Sequence, residues 1–302
     1  MKKTILLTGA SGFIGKNVIE SLSGKYQFLT PSHKELELLD TQAVDKYFKK
    51  HKIDIVVHLA NRGGSQKEAV IDPLSPNLRL FFNLAKNQRY FKKMIVVGSG
   101  SEYGKQYPIK SVKEEEFNIR VPGDEFGFYK YVVGNYIEQS KNIINLRVFG
   151  IFGKYEDWRF RFISNSICKA LYKMPIVINN NSYFDYLYIN DFVSILDYFI
   201  SYHAKFKTYN TGRGKRIKLD MIAKKISLLT GSNVPIRVKN KQLGLEYTCN
   251  NQRLRSEINN LQFTPIDLAL NELIGHFQNN LSTIDKKSLN LKRVDIWKNH
   301  TI

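Results

Sequence analysis

Near the start of the chain stands Gly9-Ala-Ser11-Gly12-Phe13-Ile14-Gly15, and its glycines recur at a spacing that suits phosphate chemistry. Gly9 permits a tight turn, Gly12 lets backbone N–H groups approach a diphosphate, and Gly15 lets a helix pack closely on the strand before it. The helix that opens here would add free N–H groups and the positive end of its dipole, with Ser11, Phe13 and Ile14 lining the same cradle. The chemistry indicated is the holding of a dinucleotide. The context supports this, because the apolar run Lys2–Thr8 precedes the turn as a strand and Lys16–Leu22 follows it as a helix.

A second stretch bears on which dinucleotide. An NAD site places Asp or Glu at the end of the second strand to bind the ribose hydroxyls, whereas an NADP site avoids that charge and offers cations. Thr30-Pro-Ser32-His33-Lys34 carries no acid before Glu35, and Ser32, His33 and Lys34 are suited to a 2′-phosphate. The expectation is NADP, with NAD the alternative.

The elements that must position these groups follow an alternating pattern. Strands are expected at Tyr26–Thr30, Ile53–Leu59, Lys93–Gly98 and Ile143–Phe149, and helices at Gln42–Lys50, Leu78–Tyr90 and Gly127–Gln139. Alternation of this kind implies an α/β fold with a doubly wound parallel sheet, which binds ligands at the carboxyl ends of its strands. From about Gly150 the rhythm changes. Asp157–Lys173 reads as one aromatic-rich helix, Pro175–Ile178 and Tyr183–Ile189 as strands, and Asp191–Tyr202, Leu219–Leu229, Arg253–Asn259 and Ile266–Asn279 as helices. Residues 1–155 are therefore expected to form the Rossmann domain and 156–302 a smaller substrate lobe, with a return to the main sheet near 190–211. The tail after Asn280 is polar and reads as loose.

With 302 residues the chain can bury a large core. No apolar run approaches the ~20 residues of a membrane span, and no export signal is read at the N-terminus. Two cysteines, Cys168 and Cys249, make neither a disulfide framework nor a metal site, and the six histidines lack metal spacing. A cytoplasmic location and no membrane partner are expected. The net charge of +19 raises the question of nucleic acid. The lysines are scattered rather than gathered on one recognition helix, so no nucleic-acid partner is expected; a basic surface would instead attract a phosphorylated small substrate.

Three stretches together resemble the extended short-chain dehydrogenase/reductases, the superfamily of sugar-nucleotide epimerases, dehydratases and reductases. They are Gly9–Gly15, then Val97-Gly-Ser99-Gly-Ser101-Glu-Tyr103-Gly104, and Phe126-Gly-Phe-Tyr-Lys130. Lys34–Asp40 and Ile53–Ala60 are most similar to the GDP-L-fucose synthase branch, whose members reduce a nucleotide-linked 4-keto-6-deoxy sugar with NADPH; related reductases act on deoxyheptoses. The resemblance implies that Lys130 holds the nicotinamide ribose and lowers the pKa of a proton donor, and that Ser99 orients the ketone oxygen. It also implies that Asp40 lies near the adenine and that Leu59 and Ala60 line the cofactor site. A homodimer through two helices per subunit, Leu78–Tyr90 and Gly127–Gln139, is implied by analogy.

This chain departs from the pattern at two places. The tyrosine position is Phe126, and a phenyl ring cannot donate a proton. Three readings stand: an introduced Tyr→Phe change, another donor among Tyr103, Tyr129 and Tyr131, or a relative that binds without turnover. Tyr129 lies about 300° around a helix from Phe126, at ~100° per residue. The second departure is Ser101, which occupies the place of a cysteine used for epimerisation; no histidine lies between His58 and His203 to partner it. A serine hydroxyl is a poor carbon-acid base unaided. The expectation is 4-keto reduction without epimerisation. On the substrate side the resemblance points to Arg62, Tyr103, Arg159, Arg161 and Phe162, with a nucleotide-diphosphate sugar, GDP-linked in the first instance, as partner. The alternatives are an NAD-dependent 4-epimerase or 4,6-dehydratase, and a cofactor-binding protein without turnover.

Overall fold

A computed structural model describes residues 2–63 and 72–290. In the first half, strand and helix alternate: β1 (Thr4–Thr8), α1 (Phe13–Leu22), β2 (Gln27–Leu29), α2 (Thr41–Lys50), β3 (Ile55–His58), α3 (Leu74–Ala85), β4 (Lys93–Ser99), β5 (Ile109–Val112), α4 (Glu125–Gln139) and β6 (Ile143–Val148). A six-stranded parallel sheet forms in the order β10-β6-β4-β3-β1-β2, with β10 (Thr208–Thr211) returning from far along the chain to pair with β6. The order reverses at β1, which puts the glycine turn at a topological switch point.

Both faces of this sheet are buried, because successive side chains of a strand point to opposite faces. Ile5, Leu7, Ile55, Val57 and Ile95 pack into one apolar cluster that includes Val18 of α1. Leu6, Val56, Met94 and Val96 pack into another, with Val44 of α2, Leu80 of α3 and Val133 of α4. Parallel strands buried on two faces explain the near-continuous apolar runs seen in the sequence.

The second half supplies β7 (Gly150–Phe152), α5 (Phe162–Leu171), β8 (Ile176–Asn180), β9 (Tyr183–Tyr188), α6 (Ile189–Ser201), β11 (Arg216–Lys218), α7 (Leu219–Leu229), β12 (Ile236–Asn240), β13 (Tyr247–Cys249), α8 (Gln252–Glu257) and α9 (Ile266–Asn279). A second sheet runs β11-β9-β13-β5, with β7 also on β9, and β12 pairs with β8. The fold is α/β, a Rossmann-like sheet carrying a smaller α/β lobe.

Three expectations need correction. The helix expected over Asp157–Lys173 begins only at Phe162; before it the Asp157 carboxylate takes the backbone N–H and guanidinium of Arg159, which favours a turn over a helix. The helix expected over Leu78–Tyr90 begins earlier, at Leu74, and gives way to a 3₁₀ turn over Gln88–Tyr90. Up to residue 290 the tail is packed: Tyr172 donates to the carbonyls of Leu281 and Ile284, and Leu289 is buried. Residues 291–302 lie outside the described residues.

Candidate active site

The carboxyl ends of β1, β3 and β4 meet at one edge of the sheet, since Thr8 pairs with His58 and His58 with Val96. Gly9 lies there in the left-handed region at φ 72°, and a Cβ on it would stand 2.7 Å from the Ala60 nitrogen. A Cβ on Gly15 would stand 2.3 Å from the Gly9 carbonyl oxygen. Only glycines fit at these two positions. Gly12 caps α1 with no side-chain hydrogen bond, and the first turn of α1 carries no acid. This cradle fits a diphosphate: the start of α1 has neither a side-chain cap nor an acid, and the turn abuts Leu59 and Ala60 as they leave β3. Ser11 is exposed, while Phe13 and Ile14 pack partly against the core.

At the end of β4, the Ser99 hydroxyl accepts from the Ser101 N–H at 3.2 Å, and the Ser99 N–H donates to Glu102 at 2.9 Å. The Lys130 ammonium, on α4, donates to the Val97 carbonyl two residues before Ser99, at 2.7 Å. Burial lowers the Lys130 pKa to about 8, opposed by the charge of Glu102. His58 is buried with its Nδ1 2.9 Å from the Thr8 hydroxyl; burial, aided by the charge of Lys130, lowers its pKa to about 3. His58 is therefore neutral at working pH.

Phe126 sits one turn before Lys130, with its ring edge-on to Tyr129. Tyr129 is buried and donates to the Asn61 side chain, so it is committed elsewhere. Tyr103 was expected to face substrate. It is buried instead, donating to Asn210 at 2.8 Å and accepting from Arg147 at 3.1 Å, because β10 and β6 pass beneath it. Ser101 is fully buried and its hydroxyl has no partner among the described residues.

The remaining expected residues are scattered. Ser32 gives both its N–H and its hydroxyl to Glu35 at 2.8 Å, and His33 stands 3.5 Å from Glu37, leaving Lys34 exposed beside them. Asp40 caps α2, accepting from the N–H groups of Gln42 and Ala43. The adenine role implied for it is not needed to explain its carboxylate. Arg62 is exposed after β3, its backbone clasped by the Asn77 side chain. Neither Arg159 nor Arg161 lies inside the helix: Arg159 forms a two-pronged pair with Asp157, while Arg161 is the exposed cap residue of α5, directly before half-buried Phe162.

Four functional-site neighbours were not anticipated. Glu102 and Arg147 form a buried pair under Ser99. Tyr247, on β13, places its hydroxyl 3.4 Å from that of Ser99. Lys105 lies over the Tyr247 ring at 5.0 Å. No spacing links Ser99 to a residue 148 positions away, so only the fold reveals that contact. Among the described residues no group of three or more metal-ligating side chains gathers, and no helix is long and apolar enough to cross a membrane.

The family model described as "NAD dependent epimerase/dehydratase family" matches residues 5–212. GDP-L-colitose synthase of Yersinia pseudotuberculosis is 36% identical over 107 residues, which are 33% of this chain and 35% of that protein. The chain thus spans about a third of the length of that curated relative. Two solved structures share the fold. A GDP-L-fucose synthetase from Naegleria fowleri bound to NADP aligns with TM-score 0.78 at 17% identity, covering 94% of this chain and 96% of that one. A UDP-glucose 4-epimerase from Thermotoga maritima with UDP-glucose aligns with TM-score 0.77 at 19% identity, covering 92% of this chain and 99% of that one.

Proposed function

The chain belongs to the NAD dependent epimerase/dehydratase family, and on that premise we propose that it is an NADPH-dependent reductase of a nucleotide-linked 4-keto-6-deoxy sugar, GDP-linked in the first instance. The observation that carries the reading is the Lys130 ammonium donating to the Val97 carbonyl, two residues before Ser99, at the carboxyl end of the sheet where the glycine turn also follows β1. The similarity to a GDP-L-colitose synthase supports a GDP-sugar over other nucleotides.

When bound, the nicotinamide supplies the hydride. The chain's own residues do the rest. The cradle's backbone N–H groups hold the diphosphate, the Lys130 ammonium holds the ribose, and the Ser99 hydroxyl donates to the ketone oxygen as charge develops on it. With Ser101 in place of a thiol, and the buried His58 bonded to the Thr8 hydroxyl rather than to Ser101, C3 and C5 keep their protons. Two copies are proposed to pair through α3 and α4, where Phe82 and Tyr136 already meet edge to face.

The test is turnover of a panel of nucleotide-linked 4-keto sugars with NADPH in deuterium oxide. The expected result is cofactor oxidation with no deuterium at C3 or C5 of the product. Washed-in deuterium would overturn reduction without epimerisation. Phe126 favours a second reading, a cofactor-binding protein without turnover; NADPH binding with no oxidation by any sugar would establish it.

A further inference from the structure

Phe126 has no proton to give, so a reduced ketone must take one from elsewhere. The tyrosines close to it in sequence are turned away. Tyr103 donates to Asn210, Tyr129 donates to Asn61, and the Tyr131 ring packs against Phe117 and Phe128. Tyr247 is placed differently. Its hydroxyl lies 3.4 Å from the Ser99 hydroxyl and only 2.7 Å from where a Cβ on Gly100 would stand. Gly100 is thus the residue that admits it. The rings of Phe149 and Phe184 fix Tyr247 at 4.9 Å and 5.9 Å. Lys105 stands over the Tyr247 ring at 5.0 Å and over the Phe126 ring at 6.0 Å, so Tyr247 and the empty donor position flank one ammonium.

We propose that Tyr247 takes over the proton supply lost at position 126, acting through Ser99. Ser99 gives its hydroxyl proton to the ketone oxygen and recovers one from the Tyr247 phenol. This rests on the reductase reading. In balance, the carbonyl carbon gains a hydride from a reduced nicotinamide and a C–H bond forms. The carbonyl oxygen takes the Ser99 proton, the Ser99 O–H re-forms with the Tyr247 proton, and the phenolate is reprotonated by water. Tyr247 touches Ser99 rather than substrate, so it is a positioning residue. Burial opposes the transient phenolate most, with the charges of Glu102 and Asp124 adding to it, while the hydrogen bond to Ser99 favours it. Burial holds the phenol protonated at rest, as a donor must be.

Tyr247→Phe removes the oxygen and leaves the ring. It is expected to lower kcat by ~10²-fold, the range of one general acid, with KM unchanged. Adding Phe126→Tyr to that variant should restore kcat, because a phenol then reaches the ketone from the family position. A readout without cofactor completes the test: in the ring-¹³C-tyrosine spectrum, the signal of Tyr247 should shift in Ser99→Ala. That signal is assigned by its loss in Tyr247→Phe or, if that variant does not fold, by its contacts to Phe149 and Phe184. Undiminished kcat in Tyr247→Phe, no recovery in the double variant, or an unmoved signal in Ser99→Ala overturns the relay alone. Failure of the unsubstituted chain to reduce any keto sugar overturns the reductase reading and the relay with it.

Discussion

Arg147 Nε lies 2.5 Å from Glu102 Oε2, with both side chains sealed from solvent. The other Glu102 oxygen accepts the Ser99 N–H, and Asn145 donates to both. The Arg147 guanidinium stacks on Phe117 at 3.8 Å. An ion pair beneath the sheet edge therefore fixes the backbone of Ser99, the residue proposed to orient the ketone. Removing one partner of a buried pair leaves the other charge uncompensated, at ~3–5 kcal/mol. Glu102→Gln is expected to lose stability on that scale in urea unfolding. A loss under about 1 kcal/mol, the scale of an exposed pair, would show that the network does not anchor the edge.

Gly15→Ala tests the cradle. Its Cβ would stand 2.3 Å from the Gly9 carbonyl and 2.6 Å from the Ala10 Cα, both backbone, so the turn must open rather than a side chain rotate. Overpacking of this kind costs ~1–3 kcal/mol and would splay the N–H groups from the diphosphate. NADPH affinity should fall at least ~10-fold, the equivalent of ~1.4 kcal/mol in binding. Titration by cofactor fluorescence, with circular dichroism as the check on folding, reads both. Unchanged affinity in a folded variant would remove the diphosphate from this turn.

The cradle and the parallel sheet were legible because their signals are local. Glycine spacing after an apolar run needs no knowledge of the far chain, and buried parallel strands announce themselves as apolar runs. The short strands β5, β11, β12 and β13 carried no such signal: Ile109–Val112 is half polar, Ile236–Asn240 mostly so, and β5 pairs with β13 across more than a hundred residues. The same distance hid Tyr247. Arg147 was hidden differently, as one charge inside the strand Ile143–Val148, where only the position of Glu102 explains it. The arginines expected at the substrate, Arg62, Arg159 and Arg161, were carried over from the resemblance without regard to their local partners. Arg159 shows the weakness, since Asp157 two residues away claims it.

Glu156 carries a pH dependence. It is buried, accepts from Ser164 at 2.6 Å, and burial raises its pKa to about 7, with the Arg161 charge opposing. An unfolded glutamate titrates near ~4.3. Between those values the folded chain holds a proton that the unfolded chain has released, so stability falls as pH rises. Below about pH 4 both states are neutral and the cost vanishes; above about pH 7 it is complete, at roughly 4 kcal/mol. Glu156→Gln keeps an acceptor for Ser164 without the charge. It should be more stable than the parent at pH 8 and show a flatter melting temperature between pH 4.5 and 7. Parallel curves for the two proteins would reject the assignment.

Glu35 bears on the choice of cofactor. Its carboxylate accepts the N–H and the hydroxyl of Ser32, and those bonds hold its pKa below the ordinary range. A 2′-phosphate would need the same two donors and would meet a like charge. Glu35 is exposed, so its side chain can swing out, but its ionised form competes at neutral pH. Glu35→Gln removes the repulsion and weakens the competition. The NADPH dissociation constant should fall several-fold, on the order of tenfold or less. That of NADH should stay within about twofold, because its ribose carries no phosphate to repel. The gain should shrink as pH falls toward the titration of Glu35, where the parent itself loses the charge. Equal shifts for both cofactors would mean that Glu35 shapes the loop without sensing the 2′-position, and would take Ser32 out of the NADPH site.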